Sequence, residues 1–274
     1  TWESDQRYWM EGEVGRADHI RDAFAKLGFT EVQLFNYTHS LNDTPDTVGC
    51  AIARKTLVRG GRQVTIIGAF LRGSGYGAEW SGNLHAGPGS AHVGFVTAAR
   101  QLVEKIRAYV QASAKRQPLG TLKLWMGGYS RGGGVANLVA ARLPAVLPQL
   151  EKKNTFVYTF AAPASLTAAD CPDLQQDYDN NHAADGSLKK NWGTSNIFNI
   201  VSSGDVIPRI LPAEWGFYRN GNDRFLPSTV IPEELQALND RSAGMEGTPI
   251  DFGRLAVAEE TDVVLRSMMD LFCD

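Results

Sequence analysis

The fold of this chain is decided by the stretch Leu122-Lys123-Leu124-Trp125-Met126-Gly127-Gly128-Tyr129-Ser130-Arg131-Gly132-Gly133-Gly134. The short apolar run Leu122–Met126 predicts a buried strand, and the apolar periodicity after the glycines predicts a helix from about Gly132 to Leu143. A strand that passes directly into a helix through a glycine-rich turn is typical of an α/β domain.

Strand and helix candidates alternate on both sides of this stretch. Helices are predicted over Val14–Leu27 (with Gly28 as the C-cap), Phe95–Val110 and Val257–Leu271, and strands over Glu31–Tyr37, Val48–Val58, Val64–Leu71, Thr155–Ala161 and Asn196–Val201. Asn196–Val201 is the last strand that the pattern predicts. No repeat and no linker composition divides the chain, so we expect residues 1–274 to form a single α/β domain with a mainly parallel central sheet flanked by helices.

Composition excludes several classes of protein. The 274 residues carry 27 Lys and Arg against 30 Asp and Glu, and a charged fraction of 21% together with 26 aromatic residues argues against a disordered chain. Scattered basic residues give no reason to expect nucleic acid, and no apolar run reaches the ~20 residues of a membrane span. The cysteines Cys50, Cys171 and Cys273 are odd in number and far apart, so the sequence predicts neither a disulfide framework nor a zinc site.

The segment Gly128-Tyr129-Ser130-Arg131-Gly132 has the pattern G-x-S-x-G. In a sharp turn between a strand and a helix, the serine lies on strained backbone, and the residues two before and two after it have room for no side chain. The N-terminus of the next helix offers free N–H groups and a positive dipole end to a developing oxyanion. A chance match is the competing interpretation, and the predicted strand and helix argue against it. The pattern therefore predicts a nucleophilic serine.

Further motifs resemble the class 3 (fungal-type) lipases of the α/β-hydrolase superfamily over about residues 64–218. They are Phe70-Leu71-Arg72-Gly73-Ser74, Trp80 with Asn83, His92-Val93-Gly94-Phe95, Phe160-Ala161-Ala162-Pro163, and Asn199-Ile200-Val201 followed by Asp205-Val206-Ile207-Pro208-Arg209. Each is weak alone, but five in the family's order around the G-x-S-x-G pattern are specific. The resemblance implies an α/β-hydrolase fold and hydrolysis of carboxylic esters with no cofactor and no metal.

The resemblance also implies roles for individual residues. Ser130 would be the nucleophile, Asp205 would orient and stabilise the catalytic histidine, and the backbone N–H of Arg131 would form the oxyanion hole together with Ser74. Asp205 fits this role without the family as well, because it follows an apolar strand. The alternatives are a turn aspartate that bonds its own backbone and, for Ser74, an ordinary loop serine.

The histidines depart from the family. In α/β-hydrolases the triad follows the order serine, acid, histidine, but none of the five histidines, His19, His39, His85, His92 and His182, follows Asp205. Three explanations stay open. The histidine lies beyond Asp274, so that residues 1–274 lack the C-terminal end of the domain; or His182 is the base; or the base is lost and the protein binds ligands without catalysis.

The loop Gly75–Ala91, which follows the strand ending near Leu71, occupies the position of the family's lid. It carries Tyr76, Trp80 and Leu84 among glycines, and the alternative is a glycine-rich loop with one packed tryptophan. A lid suits a lipid or small ester substrate and transient contact with a lipid surface.

The expected function is that of a carboxylic ester hydrolase, a lipase or esterase whose substrates include acylglycerols, acting through an acyl-enzyme on Ser130. The alternatives are a catalytically inactive binding protein on the same scaffold and an acyltransferase, since the same triad can pass an acyl group to an alcohol when water is excluded. The family resemblance alone favours secretion over a cytoplasmic location. The sequence predicts neither acyl-chain and head-group preference nor oligomeric state.

Overall fold

The computed structural model describes residues 18–36, 46–73, 83, 93–167, 196–202, 205, 207–211 and 217–226. The strands in this part of the chain are β1 (Thr30–Phe35), β2 (Cys50–Arg59), β3 (Arg62–Leu71), β4 (Thr121–Tyr129), β5 (Thr155–Phe160), β6 (Leu166–Thr167), β7 (Ile197–Ser202), β8 (Phe217–Tyr218) and β9 (Asn222–Leu226). The helices are α1 (residues 18–26), α2 (Val93–Arg116) and α3 (Arg131–Val146), with 3₁₀ turns at Lys152–Asn154 and Ile207–Arg209.

Seven of these strands form one sheet in the order β1-β2-β3-β4-β5-β7-β9, and β6 pairs with β8 apart from it. The first three strands are antiparallel neighbours, whereas every pairing from β3 to β9 is parallel. The predicted mainly parallel sheet is thus confirmed. Because parallel strands run in one direction, the carboxyl ends of β3, β4, β5 and β7 lie along one edge of the sheet, where ligands bind in open α/β sheets.

Helices α2 and α3 cover one face of the sheet. Apolar side chains of β4, including Leu124 and Met126, are buried against the α3 residues Val135, Leu138 and Val139. Each such side chain contributes roughly 1.5–3 kcal/mol through burial. This packing fixes the height of α3 above the sheet, and with it the turn that joins β4 to α3.

Helix α1 packs on the opposite face through aromatic side chains. The ring of Phe24 meets the edges of Phe29 and Phe70 at centroid distances of 5.4 and 5.6 Å, and Phe70 meets Trp125 at 4.9 Å. The predicted C-cap at Gly28 is present with φ of 75°. The N–H groups of Gly28 and Phe29 donate hydrogen bonds to the carbonyls of Ala25 and Phe24 in α1. The start of the predicted Val14–Leu27 helix and all of Val257–Leu271 lie outside the described residues.

The strand predictions need correction at two points. The pattern ends the strand before the Ser130 turn at Met126, whereas β4 continues through Tyr129 because Gly127 and Gly128 keep pairing with β3 and β5. The pattern also did not reveal a strand after Asn196–Val201. β9 follows it and pairs with β7, and its sequence Asn-Asp-Arg-Phe-Leu shows little apolar alternation because Asp223 bonds to neighbouring side chains.

The described residues include no helix long and apolar enough to cross a membrane. In the same part of the chain, no cluster of three or more His, Cys, Asp or Glu residues has the arrangement of a metal site.

Candidate active site

Ser130 lies in the sharp turn between β4 and α3 that the sequence predicts. Its φ of 52° and ψ of −124° are strained for a residue other than glycine. The turn is held by the Ser130 N–H, which donates to the Phe160 carbonyl at 2.9 Å, and by the Ser130 carbonyl, which accepts from the N–H groups of Gly133 and Gly134 at 2.8 and 3.1 Å. Strained backbone that is fixed by so many contacts is characteristic of functional sites.

Gly128 and Gly132 flank the serine, and the structure explains why both are glycine. A Cβ on Gly128 would lie 2.3 Å from the Gly132 carbonyl oxygen, and a Cβ on Gly132 would lie 2.4 Å from the carbonyl oxygen of Arg72. Both distances are far below van der Waals contact, and the atoms met are backbone, which cannot swing away. The close approach of Gly132 also brings the end of β3 next to the first turn of α3.

Gly133 and Gly134 let α3 approach its neighbours. A Cβ on Gly133 would lie 2.7 Å from the Cβ of Ala162, and one on Gly134 would lie 2.9 Å from the ring of Phe95. Ala162 belongs to the lipase-like segment that ends β5, and Phe95 belongs to the one that begins α2. Two of the motifs that carry the family resemblance therefore meet at the first turn of α3.

Arg131 is the first residue of α3. N–H groups in the first turn have no carbonyl partner within the helix, and they lie at the positive end of its dipole. The backbone N–H of Arg131 can therefore stabilise negative charge next to Ser130, as the resemblance implies. Ser74, the other oxyanion residue that the resemblance implies, lies outside the described residues.

The burial of the Arg131 side chain was not predicted from the sequence. It is only 1% exposed. Its Nε donates to the Thr47 carbonyl at 3.0 Å, its Nη1 donates to the Asn83 Oδ1 at 2.8 Å, and the guanidinium lies 5.0 Å from the centre of the Phe95 ring. Asn83 belongs to the predicted lid loop, so this residue of the loop is bonded to the residue after Ser130.

Asp205 lies after β7, half-buried, at the same edge of the sheet as Ser130. Its Oδ1 accepts from the Ile207 N–H at 2.9 Å, and its own N–H donates to the Ser202 carbonyl at 3.2 Å. This is the turn contact that the alternative interpretation expects, but it uses one carboxylate oxygen only. Among the described residues Oδ2 has no hydrogen-bond donor, so it can accept from a histidine.

Beneath the edge, the side chain of Asn199 joins three strands and α3. It is fully buried. Its Nδ2 donates to the Asn220 carbonyl and to the Asp223 Oδ1, both at 3.0 Å. Its Oδ1 accepts from the Asn137 Nδ2 at 2.9 Å and from the Thr159 Oγ1 at 2.7 Å. An amide has two donors and about two acceptor positions, so this one is fully satisfied.

Sequence reasoning named Asn199 only as part of a family-like segment and missed the residues that bond to it. A usable signal was present, because an asparagine in the otherwise apolar strand Ile-Phe-Asn-Ile-Val requires buried partners. The partners themselves lie 21 to 62 residues away in the chain, which no local pattern reveals.

The base of the predicted triad is not among the residues described near Ser130. His19 is exposed on α1. His39, His85, His92 and His182 lie outside the described residues, as does the rest of the lid loop apart from Asn83. In the described part of the chain, Ser130 follows β4 and Asp205 follows β7. Strand β5 lies between them, so β4 and β7 are two strand spacings, or roughly 10 Å, apart.

Comparisons with known proteins identify the family of the chain. The family model for lipase (class 3) matches residues 72–215, more than half of the chain. No curated protein gives a significant match.

Similar solved structures include a lipase from Rhizopus microsporus var. chinensis, at 18% identity and a TM-score of 0.50, which covers 72% of this chain and 61% of that one. They also include a Rhizomucor miehei lipase in complex with its propeptide, at 21% identity and a TM-score of 0.48, which covers 71% of this chain and 57% of that one. The match thus spans less than two thirds of the length of these lipases.

Proposed function

The chain belongs to the class 3 lipase family and has the α/β-hydrolase fold, and on that premise we propose that it hydrolyses carboxylic esters with Ser130 as the nucleophile. The observation that carries the proposal is the backbone of Ser130, whose φ of 52° is kept in a turn that two obligatory glycines surround. A serine held in this way presents its hydroxyl above the edge of the sheet, where an ester can reach it.

In the proposed reaction, the Ser130 Oγ attacks the carbonyl carbon of the ester while a histidine base accepts its proton. The carbonyl oxygen becomes an oxyanion and accepts hydrogen bonds from the Arg131 N–H and from Ser74. Collapse of this intermediate breaks the ester C–O bond, and the alcohol leaves with the proton from the base. Water then attacks the acyl carbon and gives a proton to the same base. The bond between the acyl carbon and the Ser130 Oγ breaks, and the base returns the proton to Oγ, which releases the carboxylic acid and free Ser130.

Asp205 supports the base in this mechanism. Its Oδ1 is held by the Ile207 N–H, which leaves Oδ2 to accept a hydrogen bond from the imidazole and to stabilise its protonated form. Loss of such an acid lowers kcat by about 10⁴-fold in a comparable triad, and loss of one oxyanion donor lowers it by about 10²–10³-fold.

We propose lipid or small esters as substrates, acylglycerols among them, with transient contact to a lipid surface. The loop Gly75–Ala91 is proposed to act as the lid. The contact between Asn83 and Arg131 supports this, because it links the loop to the residue whose N–H is proposed to bind the oxyanion. Movement of the loop would therefore displace Arg131.

The test is hydrolysis of p-nitrophenyl butyrate by the full-length protein and by its Ser130→Ala variant. We expect the substitution to lower kcat at least 10³-fold. Ser113→Ala, a buried serine-to-alanine change in the last turn of α2, serves as the matched control and should retain activity.

A fluorophosphonate probe provides a second readout, because it should label the wild-type protein at Ser130. Equal hydrolysis by wild type and Ser130→Ala would overturn the proposal. Tight binding of an ester analogue with neither hydrolysis nor labelling would indicate a binding protein on a hydrolase scaffold instead.

A further inference from the structure

Arg219, between β8 and β9, bonds to three separate parts of the chain. Its Nε donates to the Asp223 Oδ1 at 3.1 Å, and its Nη2 forms an ion pair with the Asp223 Oδ2. Its Nη1 donates to the Pro208 carbonyl at 2.8 Å and to the Ala162 carbonyl at 3.4 Å. The side chain is 13% exposed, so these contacts exclude most of the water that would compete for them.

The contact with Pro208 matters because of what precedes it in the chain. Pro208 lies in the 3₁₀ turn Ile207–Arg209, and the N–H of Ile207 is the group that holds the Asp205 carboxylate. The guanidinium thus fixes the carbonyl of the residue immediately after that donor. A shift of the turn would move Ile207 and rotate Asp205 with it.

The other end of the Arg219 bonds is equally well fixed. Asp223, which receives two guanidinium nitrogens, is also bonded by the buried Asn199, and Asn199 is bonded to Asn137 on α3. The third partner is the carbonyl of Ala162. Ala162 packs so closely against Gly133 that a side chain at position 133 would clash with it. A two-pronged arginine between fixed groups defines direction as well as distance.

Stability alone is a poor explanation for this pair. Ion pairs at the surface contribute about 0–1 kcal/mol, and desolvation often cancels the gain for pairs that are largely buried. The value of the Arg219–Asp223 pair therefore lies in the geometry that it imposes on the turn after Asp205.

We propose that Arg219, held by Asp223, is a positioning residue that orients Asp205 toward the base that Ser130 requires. This inference rests on the proposed ester hydrolysis. Arg219 does not touch the substrate in this role. It acts through the turn Ile207–Arg209.

The test measures p-nitrophenyl butyrate hydrolysis by full-length wild type, Arg219→Met and Arg219→Lys across pH. We expect kcat to fall about 10- to 100-fold in both variants, as for a misplacement of about 1 Å, while KM changes less than about twofold. Lysine should not rescue kcat, because one ammonium cannot reproduce the two-pronged bond to Asp223 together with the bond to Pro208.

The pH profile separates positioning from a purely structural role. A displaced Asp205 stabilises the protonated base less, so the pKa of the base falls and the acid limb of kcat/KM moves to lower pH. Arg224→Met is the matched control, since Arg224 lies on β9 next to Asp223, is exposed, and contacts the Phe198 ring at 5.9 Å and the Asn222 side-chain amide. Its kcat and pH profile should equal those of wild type.

A lower melting temperature in Arg219→Met with kcat and the acid limb unchanged would overturn the assignment. If Arg219→Met does not fold, Asp223→Asn replaces it, because the neutral amide keeps the volume and loosens the guanidinium, and the same two readouts decide. Wild-type hydrolysis that does not depend on Ser130 would instead overturn the proposed function, and the Ser130→Ala variant measured alongside reveals that case.

Discussion

Asn137, on the helix that begins directly after Ser130, donates a buried hydrogen bond of 2.9 Å to the side chain of Asn199 on the strand that leads to Asp205. The Asn137 Oδ1 in turn accepts from the Asn220 N–H at 2.6 Å. The elements that carry the proposed nucleophile and acid are thus joined by directional polar bonds as well as by apolar packing. In a low-dielectric interior such bonds specify one arrangement, since a slip leaves buried groups unpaired.

We predict that Asn199→Ala lowers the free energy of unfolding by about 3 kcal/mol. The change removes four hydrogen bonds and leaves buried partners, including Asn137 and Thr159, without them, and each unsatisfied group costs about 1–3 kcal/mol. Urea unfolding measures the effect. Asn196→Ala is the control, because its side chain makes one exposed bond to the Lys153 carbonyl. It should cost less than about 1 kcal/mol, and equal losses at the two positions would contradict the prediction.

Gly132→Ala should lower the free energy of unfolding by about 3 kcal/mol and remove any hydrolytic activity. The new Cβ would lie 2.4 Å from the Arg72 carbonyl oxygen, so either α3 or the end of β3 must move, and overpacking of this kind costs roughly 1–3 kcal/mol or more. Gly60→Ala isolates the effect of backbone strain, because nothing lies within 4 Å of a Cβ there although φ is 58°. We expect that control to cost about 1–2 kcal/mol, and a larger loss at Gly60 than at Gly132 would refute the steric explanation.

The sequence predicts a structural feature when all the residues that the feature requires are close together in the chain. The turn at Ser130 could be predicted because its glycines are required within five residues of chain. Arg131 shows the opposite case. Its side chain is buried only because Thr47 and Asn83, 84 and 48 residues away, provide acceptors, and a charged residue at the start of a helix otherwise predicts exposure.

The acid side of the site divides in the same way. The position of Asp205 after an apolar strand could be read from the sequence, and its role as the acid stays a proposal. Arg219 and Asp223 gave no signal, because their contacts depend on the carbonyl of Pro208 and on the pairing of β9 with β7. The roles of Ser130, Asp205, Arg131 and Ser74, the lid and the base all stay predictions.

Cys50 should be unreactive in the folded protein. Burial raises the pKa of its thiol far above the ordinary range, and only the thiolate reacts. In a Cys171→Ser, Cys273→Ser variant, which leaves this one thiol, we expect Ellman's reagent at pH 8 to react at least about 100-fold more slowly than in denaturing urea.

The raised pKa of Cys50 also makes the free energy of unfolding depend on pH. Because the folded-state pKa is raised, the contribution of the protonated thiol is complete below the unfolded-state pKa of about 8.5 and is lost as the pH rises above it. Cys50→Ala should therefore reduce the loss of stability between pH 8 and pH 11. Equal reaction rates in folded and denatured protein would show that Cys50 is accessible.

Ser130 itself should be a site where function and stability oppose each other. Its φ of 52° costs a residue with a side chain about 1–3 kcal/mol, whereas glycine adopts this angle freely. Glycine also loses about 0.5–1 kcal/mol through the greater entropy of its unfolded chain. We therefore expect the free energy of unfolding of Ser130→Gly, measured in urea, to be about 1 kcal/mol higher than that of Ser130→Ala, with both variants inactive.

Ser202, exposed on the extended strand β7, provides the matched pair. There the order should reverse, with Ser202→Gly less stable than Ser202→Ala, because an extended backbone imposes no penalty on alanine. If alanine is the more stable residue at both positions, the turn at Ser130 is not strained, and the nucleophile gains nothing from being held there by the surrounding fold.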